Sequence, residues 1–517
     1  MRDGKVLHAI VCAYPALGHL NPLLRLSILF AQQHIPVTFV STQFYCDRLR
    51  ELLRNGHPCT RTGSQQQGLD GADETFERGS ILEGIFSAEC NSEQGKWHEC
   101  HEKQWDISFE GLSDGLPIEF DRRSPSTELS RAIEHLRPAF EDLLRRLLHP
   151  NPNVSYFIIY DAFLSWTRDV AMSPHIPRIL FWPQSASVFT IFRRTEHILR
   201  SGINPFVDDL DADPGRMIDC IPGLPVLPAS YLPYRIQFVA GKDRRFLLYE
   251  NLGYQDRQCR EASCILINSL DWLERLPDDT LKSNIATPIK LVGPLVLLPY
   301  LELDLSVFSN RVECEEIMEW LDTQSVSSVL YICLGSVVSW TKSQIQEISL
   351  GLTEKQQPFL WVMRPWEMRH VLPPEVLKFG KVVAFAPQIQ VLGHPSVGGF
   401  LSHCGWNSTL ESLTMGIPIL AWPHFLDQFP NCWFVVHVWK VGVQLSRTTK
   451  GRMEDVVVDR NQFTAALALL MEGESKELMK LNSMNMKKQI QERLRQYNSY
   501  SNLRIILSEL LPERASA

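Results

Sequence analysis

Residues 385–428 read FAPQIQVLGHPSVGGFLSHCGWNSTLESLTMGIPILAWPHFLDQ. VGGFL is a short apolar run bounded by turn-forming residues, and it predicts a buried strand ending near Leu401. Gly405 makes the next turn. A helix is predicted to open near Asn407 or Ser408, to run through STLESLT and to stop at Gly416. IPILAW follows as another strand. This is one parallel βαβ unit, and sheets built that way bind ligands beyond the carboxyl ends of their strands.

The polar residues of the stretch gather at those ends. A helix N-terminus offers free N–H groups and partial positive charge, which suits a diphosphate. His403 adds a donor at the strand end and Ser408 a hydroxyl. Glu411, one turn into the helix, has a carboxylate that can accept both hydroxyls of a ribose. Phe385, placed at the end of the strand KVVAF, presents a π face to a base, with Gln388 and the Ala386 backbone positioned to read its edges. Asp427 and Gln428 close the stretch with a carboxylate and an amide, a pair that suits adjacent sugar hydroxyls. Taken alone, His403 to Glu411 also reads as a capped helix beside a satisfied core histidine, and Phe385 as an ordinary core aromatic.

Upstream, VLYICL, PFLWVMR and KVVAF are strands, with SQIQEISLGL a helix between the first two, and a further helix begins near Asp427. The N-terminal half opens with a strand from Val6 to Ala13 and a turn from Tyr14 to Leu20. Asn21 is the expected helix cap, with Pro22 in the first helical position. A strand returns at residues 36–40. Helices are expected at about 127–148, and a strand from Tyr156 to Tyr160 leads into Asp161. ILFWPQSAS, CILINSL and KLVGPL are strand-like, and the Pro- and Asp-rich residues 204–234 read as loop. Alternation of this kind predicts an α/β protein with two Rossmann-like parallel-sheet domains facing a cleft. The division expected is 1–295, with a polar insertion at about 60–104, then a linker at 296–314, a second domain at 315–496, and a terminal helix at 497–517 that packs back on the first domain.

At 517 residues the chain exceeds one ordinary core. A net charge of −8 gives no reason to expect nucleic acid or an anionic membrane as partner. The apolar start is broken by His8, Pro15, Gly18 and His19, so no targeting segment is read. No apolar run reaches the roughly 18 residues of a spanning helix, and the cytosol is the default expectation. Twelve cysteines without a CxxC pair read as small buried hydrophobes in a reduced compartment. Two acidic triplets, Asp209-Leu210-Asp211 and Asp211-Ala212-Asp213, lie in a Pro-rich loop far from residues 385–428, and no metal is expected. Asn407-Ser408-Thr409 formally matches a glycosylation acceptor, but it falls inside the expected binding site.

At 44 residues, Phe385 to Gln428 closely resembles, without a gap, the signature box of plant-type UDP-sugar-dependent glycosyltransferases. PALGHLNPLL, DAFLSW, IPGLP, INSLDWLE, LVGPL, VLYICLGS and FLWVMRP resemble further family landmarks in the same order, leaving out only about 60–104. The resemblance implies a GT-B fold, a UDP-sugar co-substrate with no other cofactor, a small-molecule acceptor, and inverting transfer that turns an α-linked donor into a β-glycoside. It implies that Phe385 stands where the family has a uracil-stacking Trp. It places Ser336, after Gly335, at the phosphates, and it gives Trp406, Asn407, Asp427 and Gln428 the transferred sugar. Gln at the last of these positions favours glucose over galactose.

By the same resemblance His19, in the turn PALGHLNP, is the catalytic base. An imidazole suits proton abstraction near neutral pH. Asp161, at a neighbouring strand end, is its expected orienting carboxylate. Trp166, Phe181, Trp182 and Phe189 are expected to roof a cleft for phenolics or terpenoids, although each alone reads as core. Two other readings stand beside this one. One is a nucleotide-sugar-binding protein without turnover. The other is a nicotinamide oxidoreductase on the same sheets, disfavoured because no GxGxxG turn follows the first strand.

Overall fold

A computed structural model describes residues 6–55, 105–122, 127–148, 153–164, 166–167, 170, 176–203, 215–233, 257–274, 286–296, 311–336, 338–368, 372–445 and 457–496. The insertion at 60–104, the acidic triplets, most of the linker and the expected helix at 497–517 lie outside the described residues, except that a helix Arg311–Asp322 already begins within the expected linker span.

The first sheet contains β1 (Val6–Cys12), β2 (Val37–Thr42), β3 (Ile107–Leu112), β4 (Val154–Asp161) and β5 (Arg178–Trp182). After a two-stranded antiparallel ladder of β6 (Met217–Ile218) and β7 (Leu227–Pro228), β8 (Cys264–Ile267) and β9 (Ile289–Leu291) complete it. The small ladder corrects the reading of 204–234 as unbroken loop; residues 204–214 lie outside the described set. The order is β3-β2-β1-β4-β5-β8-β9, all parallel. The second sheet has β10 (Val329–Cys333), β11 (Phe359–Val362), β12 (Gly380–Val383), β13 (Val397–Ser402), β14 (Ile419–Ala421) and β15 (Gly442–Gln444). Its order is β12-β11-β10-β13-β14-β15, again all parallel.

Both sheets are covered on both faces, which is why their strands read as nearly continuous apolar runs. Side chains alternate along a strand, so Ala9 and Val11 enter one core with Phe157 and Ile159, while Ile10 and Cys12 enter the opposite core with Ile158 and Tyr160. The second sheet divides likewise: Leu330 and Ile332 face Trp361 and Leu401, and Val329 and Tyr331 face Leu360 and Phe400. Seven of the nine described cysteines are buried as small apolar groups. Among the described residues no helix is long and apolar enough to cross a membrane.

Five helices bear on the cleft: α1 (Leu17–Gln32), α2 (Ala186–Arg193), α3 (Gln388–Leu392), α4 (Trp406–Met415) and α5 (Gln428–Trp433). α1 corrects an expectation. It begins at Leu17, so Asn21 and Pro22 lie within it and do not start it. Proline lacks the N–H that would bond the carbonyl four residues back. That carbonyl belongs to Gly18, and it accepts a hydrogen bond from Asn407 Nδ2 on α4 at 2.7 Å. The proline therefore releases an acceptor that the second domain uses.

Candidate active site

Each sheet reverses its strand order once, and the predicted residues cluster at these switch points. In the first sheet the reversal lies between β1 and β4. His19 stands in the first turn of α1, which follows β1, and Asp161 is the last residue of β4. In the second it lies between β10 and β13. Gly335 and Ser336 follow β10, and His403 follows β13.

His19 Nδ1 lies 2.9 Å from Asp161 Oδ2. Asp161 is fully buried, whereas the histidine side chain is 18% exposed. The Phe163 backbone N–H donates to the other Asp161 oxygen at 2.9 Å. Held this way, the carboxylate accepts from Nδ1–H and leaves Nε2 as the free base. The imidazole lies between Tyr14 and Phe163, with ring centroids 5.0 and 4.9 Å away.

The aromatics expected to roof the cleft are placed elsewhere. Trp166, Phe181, Trp182 and Phe189 are all buried in the two cores of the first sheet. The Trp166 indole donates to Ile133 O and that of Trp182 to Ser185 O. Their rings fill the faces of a doubly covered sheet, and the half-buried ring beside the base is Phe163, with Trp182 behind it at 5.8 Å.

On the opposite wall α4 starts at Trp406, one residue before the expected opening, with Gly405 as its N-cap and no side-chain cap. Gly405 has no side chain to occupy the first amides, and of these only the Trp406 N–H is taken, by Asp427. His403 is half-buried beside them, its Nδ1 shielded from solvent and without a protein partner. Burial pushes its pKa down to about 4, so the ring is neutral at physiological pH and keeps one N–H to donate. Ser336 lies in the turn after β10; Arg364 pins this turn through Ser339 Oγ at 2.7 Å and through the Ser336 backbone oxygen. Gln388, first residue of α3, donates to Ser408 Oγ at 3.0 Å and to Glu411 Oε2 at 2.7 Å, and accepts from Tyr331 OH at 3.2 Å. Phe385 is half-buried two residues beyond the end of β12, followed by buried Ala386.

The sugar-reading candidates are more constrained. Trp406 is buried, and its indole donates to Asn268 O of the first domain at 2.6 Å, so the side chain braces the two domains. Its backbone N–H bonds Asp427. Gln428 accepts from the His424 and Phe425 backbone N–H groups at 2.8 and 3.2 Å, which fixes its amide with the NH2 as remaining donor. Asp427 accepts from Asn431 Nδ2 at 3.0 Å and from Gln184 Nε2 of the first domain at 3.2 Å.

Burial raises the Asp427 pKa to about 6, opposed by hydrogen bonds from its own amide, Asn431 and the Trp406 amide and by His19 across the cleft. A carboxyl raised from its ordinary 3.8 favours the folded state below that value, and the contribution is lost as pH rises through about 6. Asp427→Asn removes the titration. The variant is expected to melt above the wild type at pH 7.5, with the difference shrinking as pH falls through about 6 and closing only near 3.8. A thermal scan across that range checks it; a gap that widens on acidification would refute the assignment.

Residues unanticipated from sequence complete the wall contacts: Gly18 through its carbonyl, Gln184, Asn268, which reaches Asn407 Oδ1 at 3.4 Å, and Arg25, which reaches Glu411. Only Arg25 carried a local signal, a charge inside the apolar run LLRLSILF. Among the described residues no group of three or more His, Cys, Asp or Glu is arranged to hold a metal ion.

Comparison with known proteins places this geometry. The family model described as "UDP-glucoronosyl and UDP-glucosyl transferase" matches residues 294–492. The 7-deoxyloganetin glucosyltransferase of Gardenia jasminoides is 31% identical, with 98% of each chain covered. The (R)-mandelonitrile beta-glucosyltransferase of Prunus dulcis is 31% identical over 93% of this chain and 92% of its own. Among solved structures, UGT71G1 of Medicago truncatula in complex with UDP-glucose superposes with a TM-score of 0.71 at 24% identity, covering 99% of both chains.

Proposed function

The chain belongs to the UDP-glucoronosyl and UDP-glucosyl transferase family, as a plant-type UDP-glycosyltransferase of GT-B fold, and from that premise we propose that it transfers glucose from UDP-glucose to a hydroxyl of a small apolar acceptor with inversion at the anomeric carbon. The relatives named for glucosyl transfer to 7-deoxyloganetin and (R)-mandelonitrile support glucose and a small acceptor. The single observation that carries the reading is the His19–Asp161 pair at 2.9 Å on one wall, with its own helix tied at Gly18 to Asn407 at the start of α4 on the other.

The step follows from this arrangement. The acceptor oxygen attacks C1 of the sugar as its proton passes to His19 Nε2. The bond from C1 to the diphosphate oxygen breaks, and its electron pair leaves with UDP. Asp161 stabilises the imidazolium as it forms. The N-terminal amides of α4, with His403, Ser408 and Ser336, meet the charge developing on the diphosphate, and no other cofactor enters the step. Asp427 and Gln428 hold the sugar hydroxyls, Glu411 the ribose, and Phe385, Ala386 and Gln388 the base. Incubating the protein with UDP-glucose, UDP-galactose and UDP-glucuronate against a panel of phenols and terpenoid alcohols, with products read by mass, tests the proposal. Glucoside formation is the expected result. UDP binding without a product on any acceptor would favour binding without turnover.

Phe385→Trp offers a larger stacking face to uracil. Donor KM is expected to stay level or fall by up to about 5-fold, on the scale of aromatic contacts. A large rise in KM would show that the base does not stack there.

A further inference from the structure

Arg25 is a cation in an unusual place. It sits at the middle of α1, in the run LLRLSILF, with only 1% of its side chain exposed. A buried guanidinium must find partners, and it finds two. One terminal nitrogen donates to Leu295 O at 3.1 Å and lies 3.5 Å from Glu411 Oε1; the other lies 3.4 Å from the same oxygen. Glu411 is itself 7% exposed. Its two oxygens are thus divided. Oε1 turns to Arg25 in the first domain, while Oε2 turns to Gln388 and the donor pocket.

The helical spacing makes this a matched face. Residues seven apart on α1, Gly18 and Arg25, lie on one side of that helix, and residues four apart on α4, Asn407 and Glu411, on one side of the other. α1 therefore meets α4 at two points: Gly18 to Asn407, next to the base, and Arg25 to Glu411, beneath the ribose position.

We infer that Arg25 is a positioning residue for donor recognition: by holding Oε1 it fixes the rotamer of Glu411, so that Oε2 points at the ribose hydroxyls of the UDP-sugar. This rests on the donor-site reading of Glu411 above. A simple staple between domains would need no such division of the two oxygens, and the two roles separate on the ribose.

The test compares UDP-glucose with its 2′-deoxyuridine analogue in the wild type, Arg25→Gln and Arg25→Lys, at saturating acceptor. The wild type is expected to prefer the ribose donor on the order of 10-fold in KM, the scale of a hydrogen bond to a charged group. In Arg25→Gln that preference is expected to collapse to within about 2-fold, through a higher KM for UDP-glucose alone, with kcat within about 3-fold. Arg25→Lys keeps the cation but not the fork and should fall between the two; it decides the matter if the glutamine variant does not fold. A wild type indifferent to the 2′-hydroxyl would sink the donor-site reading of Glu411. A wild-type preference retained in the variants, or equal weakening of both donors, would overturn the role of Arg25 and leave that reading standing.

Discussion

His19→Ala is expected to slow glucosyl transfer by about 10³-fold or more while UDP affinity stays within a few-fold. A positioned general base contributes about 10²–10⁴-fold, and here the positioning is built from three directions. Asp161, fully buried at the end of β4, holds Nδ1 at 2.9 Å. The Phe163 amide holds Asp161 at 2.9 Å. Tyr14 and Phe163 restrict the ring on its flanks. The hydrogen bond that orients the ring acts on Nδ1, so the contribution to be lost is proton removal by Nε2. The α4 amides proposed to meet the diphosphate are untouched by the change. Asp161→Asn should fall in the same direction by about 10²-fold or more, because an amide can leave the imidazole in the tautomer whose Nε2 is already protonated. Initial rates at saturating UDP-glucose, paired with calorimetric titration by UDP, separate the outcomes. If UDP affinity collapses together with the rate, His19 is a structural plug and the base lies elsewhere.

Much of this is legible in the sequence because parallel α/β architecture writes its site in short segments. Strand ends, turns and helix starts are local, so His403, Gly405, Asn407, Ser408 and Glu411 stand within nine residues, and a periodicity reading places them at one helix N-terminus. His19 and Asp161 are 142 residues apart, one in the turn-and-helix segment that follows β1 and the other at the end of β4, and the switch point brings them together. The start of α1 escapes such a reading for a definite reason. Asn-Pro has the composition of a helix entry, and nothing local says that the carbonyl freed by Pro22 is taken by a residue 389 positions away. The aromatics after β4 and those in and after β5 escape it for a related one. A sheet covered on both faces needs large rings on each side of it, so Trp166, Phe181, Trp182 and Phe189 go to the cores, and Phe163 is left beside His19. Gln184 to Asp427 and Arg25 to Glu411 span 243 and 386 residues, and pairs of that separation leave no periodic trace.

The second large effect is expected at a glycine. Gly405 has φ −59° and ψ 144°, a conformation open to any residue, so backbone freedom does not explain it. Space does. A Cβ there would lie 2.3 Å from His403 Nε2, and a Cβ at Gly335 would lie 2.7 Å from Cε1 of the same ring. The imidazole is therefore wedged between two glycines, one of which, Gly335, also requires φ +73°. Gly405→Ala must drive His403 out of its slot or close the mouth of α4 with a methyl group, and either change strikes the position proposed for the diphosphate. A hydrogen bond to a charged group contributes about 1.5–3 kcal/mol, so UDP affinity is expected to fall by roughly 10- to 100-fold. Overpacking also costs the fold about 1–3 kcal/mol, a lower but still cooperative melting transition. Uridine supplies the control, since it offers the base and the ribose to Phe385 and Glu411 but nothing to His403 or the α4 amides. Its affinity should be unchanged in Gly405→Ala. Equal losses for UDP and uridine would mean that the alanine distorts the whole pocket, and no loss for either would mean that the diphosphate never rests on this helix, so the two titrations together decide whether the slot between Gly335 and Gly405 exists to aim an imidazole at phosphate.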